Sequence, residues 1–483
     1  MNSKISYIAE PYIMLNSIAM KQRSLLCLIL LFHTISAISQ SCLPEGITFT
    51  KQEQIDNFKT DHPGCTEIAG FVIIRGDDID NLDGLDVLIS IGNGLQIDKN
   101  PSLTDLSGLD NITSIGGWPY GGLFIAVNSA LTSLAGLESL KSIGGSFYLT
   151  NNISLTSLAG LSHLDSIGCD LGISGNAALI KLTGLEGLTS VSNLLITSNP
   201  ALTSLSALYH LTSCHGDLLV AENDALISLE GLEGASFGGG IEIVNNHSLA
   251  DLEGLQGITS IGGSLYSGLH ITGNYSLTGL EGLRNLITIE SEMEIESNST
   301  LSGLDGLENL TTVGSYIHIS ENTALTSLAG IDNIAPATVT ELNLTGNTSL
   351  SECDVRFICD YLALQGASVL ISGNASGCNS AGEVADACEA GMGENNGQRI
   401  EVCISPNPSS DRFTFIFSMP HQGHTSLKIQ DDKGRIIAVI LDEIIPRGDH
   451  HFTWDAEGFS PGIYFYNLTT YNHFSTGKMG LVR

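Results

Sequence analysis

Chemistry-bearing side chains fall in a few places along this sequence. Glu242, His270, Glu294 and His318 alternate carboxylate and imidazole at spacings of 28, 24 and 24 residues. Such a set can relay protons or hold a divalent ion if the fold brings it together. Asp77, Asp78, Asp80, Asp83 and Asp86 crowd five carboxylates into one short stretch, which raises Ca²⁺ binding. Their spacing is not that of an EF-hand loop, and a solvated acidic turn is the simpler reading. There is no His-Glu-x-x-His, no P-loop and no Cys-x-x-Cys pair. With no nucleophile, base and charge stabiliser in combination, neither an enzyme nor a cofactor is expected.

The elements that position these groups follow from an internal repeat. Asparagine recurs at 100, 128, 152, 176, 199, 223, 246, 274, 298, 322 and 347, mostly 23 to 25 residues apart with two gaps of 28. Leucine follows three residues after each, and glycine eight residues after in nine of the first ten units, with Ala207 the exception. Five and three residues before each asparagine stand apolar pairs such as Leu171/Ile173 and Ile317/Ile319, the period of two of a short strand with one buried face. A single unit cannot bury its apolar edge, whereas stacked units form a continuous core, so the expectation is a β-solenoid of about 24 residues per turn. Thirteen strands at about 4.8 Å each give roughly 60 Å. Stacked asparagine amides read as a structural ladder.

In that register the outward strand position, four before each asparagine, runs Phe124, Tyr148, Gly172, Leu195, Leu219, then Glu242, His270, Glu294, His318. The face is apolar first and charged later. One reading is a partly covered surface followed by a solubilising ladder; the other is a contact surface. The two histidines stand two turns apart, about 9 to 10 Å, which argues against one shared metal ion. Both 28-residue units carry their extra residues just before the strand, as Trp118-Pro119-Tyr120-Gly121 and Leu265-Tyr266-Ser267-Gly268. They are either tolerated length variants or loops flanking a binding face. The candidate contacts are therefore Trp118, Tyr120, Phe124, Tyr148, Leu195, Leu219 and Tyr266, for an extracellular glycan or protein ligand.

Residues from Cys65 to Cys388 resemble the receptor L domain, a leucine-rich-repeat-like right-handed β-helix, most clearly in the opening turn Cys65-Thr66-Glu67-Ile68-Ala69-Gly70. The greater number of turns departs from the eukaryotic receptors and leaves a hormone-receptor role without support. Solenoid ends expose core and unpaired edges. Cys42 and Cys65 at one end, and Cys353, Cys359, Cys378 and Cys388 at the other, read as disulfide staples, the pairing of the last four being open. Asp354 to Leu364 reads as a short closing helix. Cys169 and Cys214, two turns apart, are too distant to bridge, and Cys403 is the candidate unpaired thiol.

Composition agrees with an exported repeat protein. The 483 residues hold 54 glycines but only 6% aromatics, and 19 basic against 52 acidic residues give a net charge of −33, which excludes nucleic acid as a partner. Lys21 and Arg23, the apolar run Leu25 to Phe32, and small residues at Ser36, Ala37 and Ser39 have the layout of a secretory signal within residues 1–39, with Met20 as an alternative start. That run is too short to span a bilayer, and no transmembrane segment is expected in the mature protein. The solenoid is expected over 40–388, a glycine- and asparagine-rich linker over 389–400, and a small Ig-like β-sandwich over 401–483. Within that last stretch Pro406-Asn407-Pro408, Asp432-Lys433-Gly434-Arg435, Pro461-Gly462-Ile463-Tyr464 and Thr476-Gly477-Lys478 look like the type A C-terminal sorting domain of type IX secretion. The resemblance implies Pro406, Asn407, Pro408, Gly434, Gly462, Tyr464 and Lys478 as motif residues, the type IX machinery as partner, and a secreted or outer-surface location. The expected function is a non-catalytic surface binding or adhesion module; the alternatives are a structural envelope component and a β-helical polysaccharide-active enzyme.

Overall fold

The computed structural model describes residues 41–117, 121–262, 268–393, 400–419, 423–431, 433–470 and 474–482. The proposed signal, and Trp118, Tyr120 and Tyr266, lie outside the described residues.

Each repeat closes one turn of a solenoid. Leucines recur every third residue through the connecting segments because each turn returns an N–H to the carbonyl three residues back: Leu131 to Asn128 (3.1 Å), Leu137 to Leu134 (3.2 Å) and Leu140 to Leu137 (3.0 Å). These leucines point inward and are fully buried, each worth about 1.5–3 kcal/mol relative to exposure. Glycine eight after the asparagine meets a close backbone approach. At Gly136 φ is +103°, and a Cβ would collide with the carbonyl oxygen of Leu106 in the preceding turn.

Fourteen parallel strands pair in sequence order from Ile47–Phe49 to Ser368–Ser372. The sequence pattern gave thirteen; the additional strand, Ile47–Phe49, sits in the N-terminal cap, where neither the asparagine nor the leucine spacing marks it. A second side of the solenoid carries two-residue strands such as Ser114–Ile115 and Ser142–Ile143, the recurring Ser-Ile-Gly segments.

The asparagine ladder is continuous. Asn199 Oδ1 accepts from the Asn176 backbone N–H (3.1 Å) and Nδ2 (3.3 Å), while Asn199 Nδ2 donates to the carbonyl of Ile173 (2.9 Å) and to Asn223 Oδ1 (3.2 Å). Equivalent bonds run from Gly76, whose N–H donates to Asn100 Oδ1 (2.9 Å), to Asn374, whose Nδ2 donates to Leu344 and Cys378 carbonyls (2.8 and 2.9 Å).

Both ends are closed. Helices Gln52–Asp56 and Phe58–Asp61 bury Ile55 and Phe58 beside the first turns, and Cys42 bonds Cys65. At the far end helix Arg356–Leu362 buries Phe357, Ile358 and Tyr361. Cys353 bonds Cys378 and Cys359 bonds Cys388, which resolves the pairing that sequence leaves open. Among the described residues Cys169, Cys214 and Cys403 take part in no disulfide. A further helix, Ala381–Gly393, was not anticipated and continues past residue 388, into the start of the stretch read as a linker.

The C-terminal unit is an antiparallel sandwich. Cys403–Ser405, Arg412–Met419 and Gly448–Asp455 form one sheet; Ile436–Ile445, Gly423–Gln430, Gly462–Thr469 and Phe474–Leu481 form the other. Phe413, Phe415, Leu427, Ile429, Trp454, Tyr466, Leu468 and Met479 fill the space between them.

Two outcomes are expected. Asn199→Ala leaves the Asn176 backbone N–H without its acceptor and takes the side-chain donor from the Ile173 carbonyl, costing about 1–3 kcal/mol, so thermal melting falls below wild type; an unchanged melt contradicts the ladder. Mass mapping under non-reducing conditions finds the three disulfides above, with Cys169, Cys214 and Cys403 alkylated; a Cys169–Cys214 link would contradict the register.

Candidate functional site

Strict register sets the face. Phe124 pairs with Tyr148, Tyr148 with Gly172, Gly172 with Leu195, Leu195 with Leu219, and the row continues through Glu242, His270, Glu294 and His318. Alternation along each strand leaves these side chains outside while their neighbours, such as Leu123 and Ile125, enter the core. The structure therefore brings together Phe124, Tyr148, Leu195 and Leu219 as one partly exposed apolar strip.

Its aromatic end is held in place. The rings of Phe124 and Tyr148 stack with centroids 5.7 Å apart and planes 17° from parallel. Gly172 is buried, and a Cβ there would collide with the Tyr148 ring, so the missing side chain lets the ring lie across the next strand. Tyr148 Oη donates to Asp170 Oδ2 (2.9 Å), and burial with the adjacent Asp170 charge pushes the phenol far above its usual range. Asp170 Oδ1 accepts from Asn193 Nδ2 (2.7 Å), Asn193 Oδ1 from the Asp217 N–H (2.8 Å), and Asp217 Oδ1 from the Gly240 N–H (2.9 Å). This polar chain fastens the strand starts beneath the strip.

The charged half is largely self-paired. His270 Nε2 lies 3.3 Å from Glu292 Oε1, a close contact without hydrogen-bond alignment. His318 lies between Glu294 (3.7 Å) and Glu341 (3.3 Å), and Tyr316 Oη donates to Glu294 Oε1 (3.0 Å). Burial raises the Glu242 carboxyl, with His270 opposing it. Glu292 moves the other way: burial pushes its carboxyl up, but the Ser291 hydroxyl and backbone N–H groups outweigh it and the net shift is downward. Among the described residues no three His, Cys, Asp or Glu side chains converge in a metal-holding group. The acidic stretch is likewise engaged in part, with Asp86 paired to Lys59 at 2.6 Å.

Sequence reasoning missed Asp170, Asn193, Asp217, Glu292, Tyr316 and Glu341. A signal was present: all stand six residues before a ladder asparagine. It also missed what many carboxylates do. Asp110, Glu138, Glu186, Glu233 and Glu308 each accept the N–H of the turn glycine two residues earlier, at 2.8 to 3.0 Å. At the neck of the first insertion, the Gly121 N–H donates to the Gly117 carbonyl (2.8 Å), directly before strand Gly122–Ala126.

In the C-terminal sandwich the first and last motifs meet in space. Asn407, between two cis X-Pro bonds, donates from Nδ2 to the Lys478 carbonyl (2.9 Å) and accepts from the Gly480 N–H (3.0 Å). The first motif thus clasps the last strand. Asp431 accepts from the Lys433 and Arg435 N–H groups (3.0 and 2.9 Å) around Gly434, where φ is +78°. Tyr464 Oη donates to the Ser460 carbonyl (2.7 Å), fixing the turn before Gly462. Residues 404–481 match the family model described as a secretion system C-terminal sorting domain. That stretch is a type IX sorting domain. The protein is accordingly exported by the type IX route to the outer cell surface or the extracellular space. No curated protein matches the chain. Among the described residues no helix is long and apolar enough to cross a membrane.

A pH test follows from Glu242. Its folded-state pKa is raised, so its stabilising contribution is present in acid and is lost as pH rises through that raised value. Glu242→Gln should melt higher than wild type at about pH 8 and no higher at about pH 3, below the unfolded carboxyl range. A pH-independent difference would contradict the raised carboxyl of this half-buried side chain.

Proposed function

We propose that the exported solenoid is a non-catalytic binding or adhesion module, and that its ligand, a glycan or protein, contacts the apolar strip. The observation that carries this reading is the Phe124–Tyr148 stack, partly exposed yet held by Asp170 and Gly172. A rigid aromatic pair loses little conformational entropy on binding and presents a flat apolar surface to a sugar ring or an apolar side chain. The charged half is engaged in part by its own contacts, His318 with Glu341 and Tyr316 with Glu294, and offers less to a partner. The likeness to receptor L domains, themselves recognition modules, supports the same class. Trp118, Tyr120 and Tyr266, on the insertions, belong to the proposed contact set as flanking residues.

The full mature chain, probed on glycan and protein arrays, should show saturable binding. Tyr148→Ala and Trp118→Ala should each weaken it by more than about 1 kcal/mol, with smaller effects from Glu294→Gln or His318→Ala. Loss on the charged side alone would move the site there. Absence of any saturable ligand favours a structural envelope role, and release of products from polysaccharides would favour an enzyme. Deleting residues 401–483 should trap the protein in the periplasm; unchanged export would contradict the role assigned to that domain.

A further inference from the structure

The long parallel sheet ends on an open edge. Ser368–Ser372 pairs only with Glu341–Thr345, and among the described residues no further strand follows it. The Gly346 N–H donates to the Ser372 carbonyl (3.0 Å), so by the alternation of a strand the backbone groups of Ser368, Leu370 and Ser372 face that neighbour. Those of Val369 and Ile371 face the open side.

Exposure marks the same edge. One strand in, Leu342 and Leu344 are fully buried, whereas Val369 is only half-buried and Ile371 keeps 7% of its surface exposed. Leu370, which ends the outward row after His318 and Asn343, is 52% exposed. Helix Ala381–Gly393 closes the core beside this strand, burying Val384 and Cys388, and leaves Leu370 open. Edge strands are ordinarily protected by charge, proline or shortness. This one is as long as any strand of its sheet, and no charged side chain or proline stands between Tyr361 and Gly382.

The strand is also self-complementary. Ser-Val-Leu-Ile-Ser has the same polarity, and nearly the same side-chain size, read from either end. An antiparallel copy centred on Leu370 sets Ser368 against Ser372, Val369 against Ile371 and Leu370 against itself. Val369 then exchanges both backbone bonds with Ile371 of the second copy, twice over by symmetry, and the two leucines close on each other outside. Charge permits the approach. The nearest carboxylate on the outer face, Glu341, stands behind Ser368, and across the seam it faces Thr345 of the second copy. Three strand spacings separate those two, about 14 Å, and the two Glu341 carboxylates lie farther apart still, beyond the screening length at physiological salt.

We propose that two copies of this chain join end to end through Ser368–Ser372, in a closed two-fold pair that continues the sheet from one solenoid into the other. A five-residue seam lies at the low end of interface sizes, so the pair is reversible. The two-fold stands perpendicular to the sheet, and the outward rows of both copies therefore share one face.

Sedimentation of the purified mature chain tests it. Wild type should pass reversibly from monomer to dimer below about 100 µM. Leu370→Asp, which sets two carboxylates face to face, should weaken the pair more than about tenfold and leave the melt unchanged. Cysteine pairing reads the register, and decides alone should Leu370→Asp melt early. In a Cys403→Ser background Leu370→Cys should oxidise to a linked dimer, since directly opposed residues stand about 4.5–5.5 Å apart, within disulfide reach. Ser368→Cys should not, its two copies lying roughly 14 Å apart along the seam. A wild type that stays monomeric over that range, a dimer indifferent to Leu370→Asp, or linkage through Ser368→Cys and not Leu370→Cys overturns the proposal. So does growth into polymers, the mark of head-to-tail stacking on Ile47–Phe49 at the other end.

Discussion

A buried primary amide with two donors and one acceptor oxygen has nowhere to go in an apolar core unless every one of those sites is met. In this solenoid each asparagine from 100 to 347 meets them by bonding the asparagine of the next turn and a strand carbonyl of the preceding one, and Asn374 ends the column on the Cys378 carbonyl. An unsatisfied buried group costs about 1–3 kcal/mol, so any slip of one turn against the next breaks several bonds together. Satisfaction of this column therefore fixes the register of the long sheet. Leucine packing alone tolerates small shifts; the amides do not.

That constraint has a local cost. To turn the asparagine inward at the strand's end, the residue before it adopts a left-handed conformation, including Val127 (φ +57°), Glu222 (φ +58°) and Glu321 (φ +57°). Left-handed non-glycine residues cost about 1–3 kcal/mol each. Backbone bonds across the turns offset this, as where Val127 N–H donates to the Thr150 carbonyl (2.9 Å). The consequence for function is indirect and strong: a register fixed in this way places outward side chains from many turns in one straight row. The Phe124–Tyr148 stack, the Leu195–Leu219 strip and the Glu–His half are all products of that row.

Much of this was legible in the sequence because the solenoid repeats its constraints. Asn, Leu and Gly recur at fixed offsets, so strand positions, buried faces and the outward row could be assigned by counting. Strand Ile47–Phe49 and helix Ala381–Gly393 were not legible, because caps have no neighbour on one side and escape the periodic demand. The disulfide pairing at the C-terminal end was open for the same reason: proximity there depends on helix Arg356–Leu362, which has no counterpart elsewhere. Side-chain roles were harder still. Sequence reasoning passed over Asp170, which geometry makes the anchor of Tyr148. Glu138 and Glu186 were likewise passed over and are acceptors for turn glycines. In the sorting domain the motifs are separate in sequence, and only folding shows that Asn407 holds the strand containing Lys478.

The central claim is that a row of side chains fixed in register by buried amides serves as a ligand-binding face. Site-specific photocrosslinking on intact cells tests it most directly, with a photoreactive residue at Leu219 on the strip and, in a second variant, at Ile287 on an exposed connecting segment. The account predicts a defined, competable adduct from position 219 and none from position 287. A defined adduct from position 287, with position 219 silent, would contradict it.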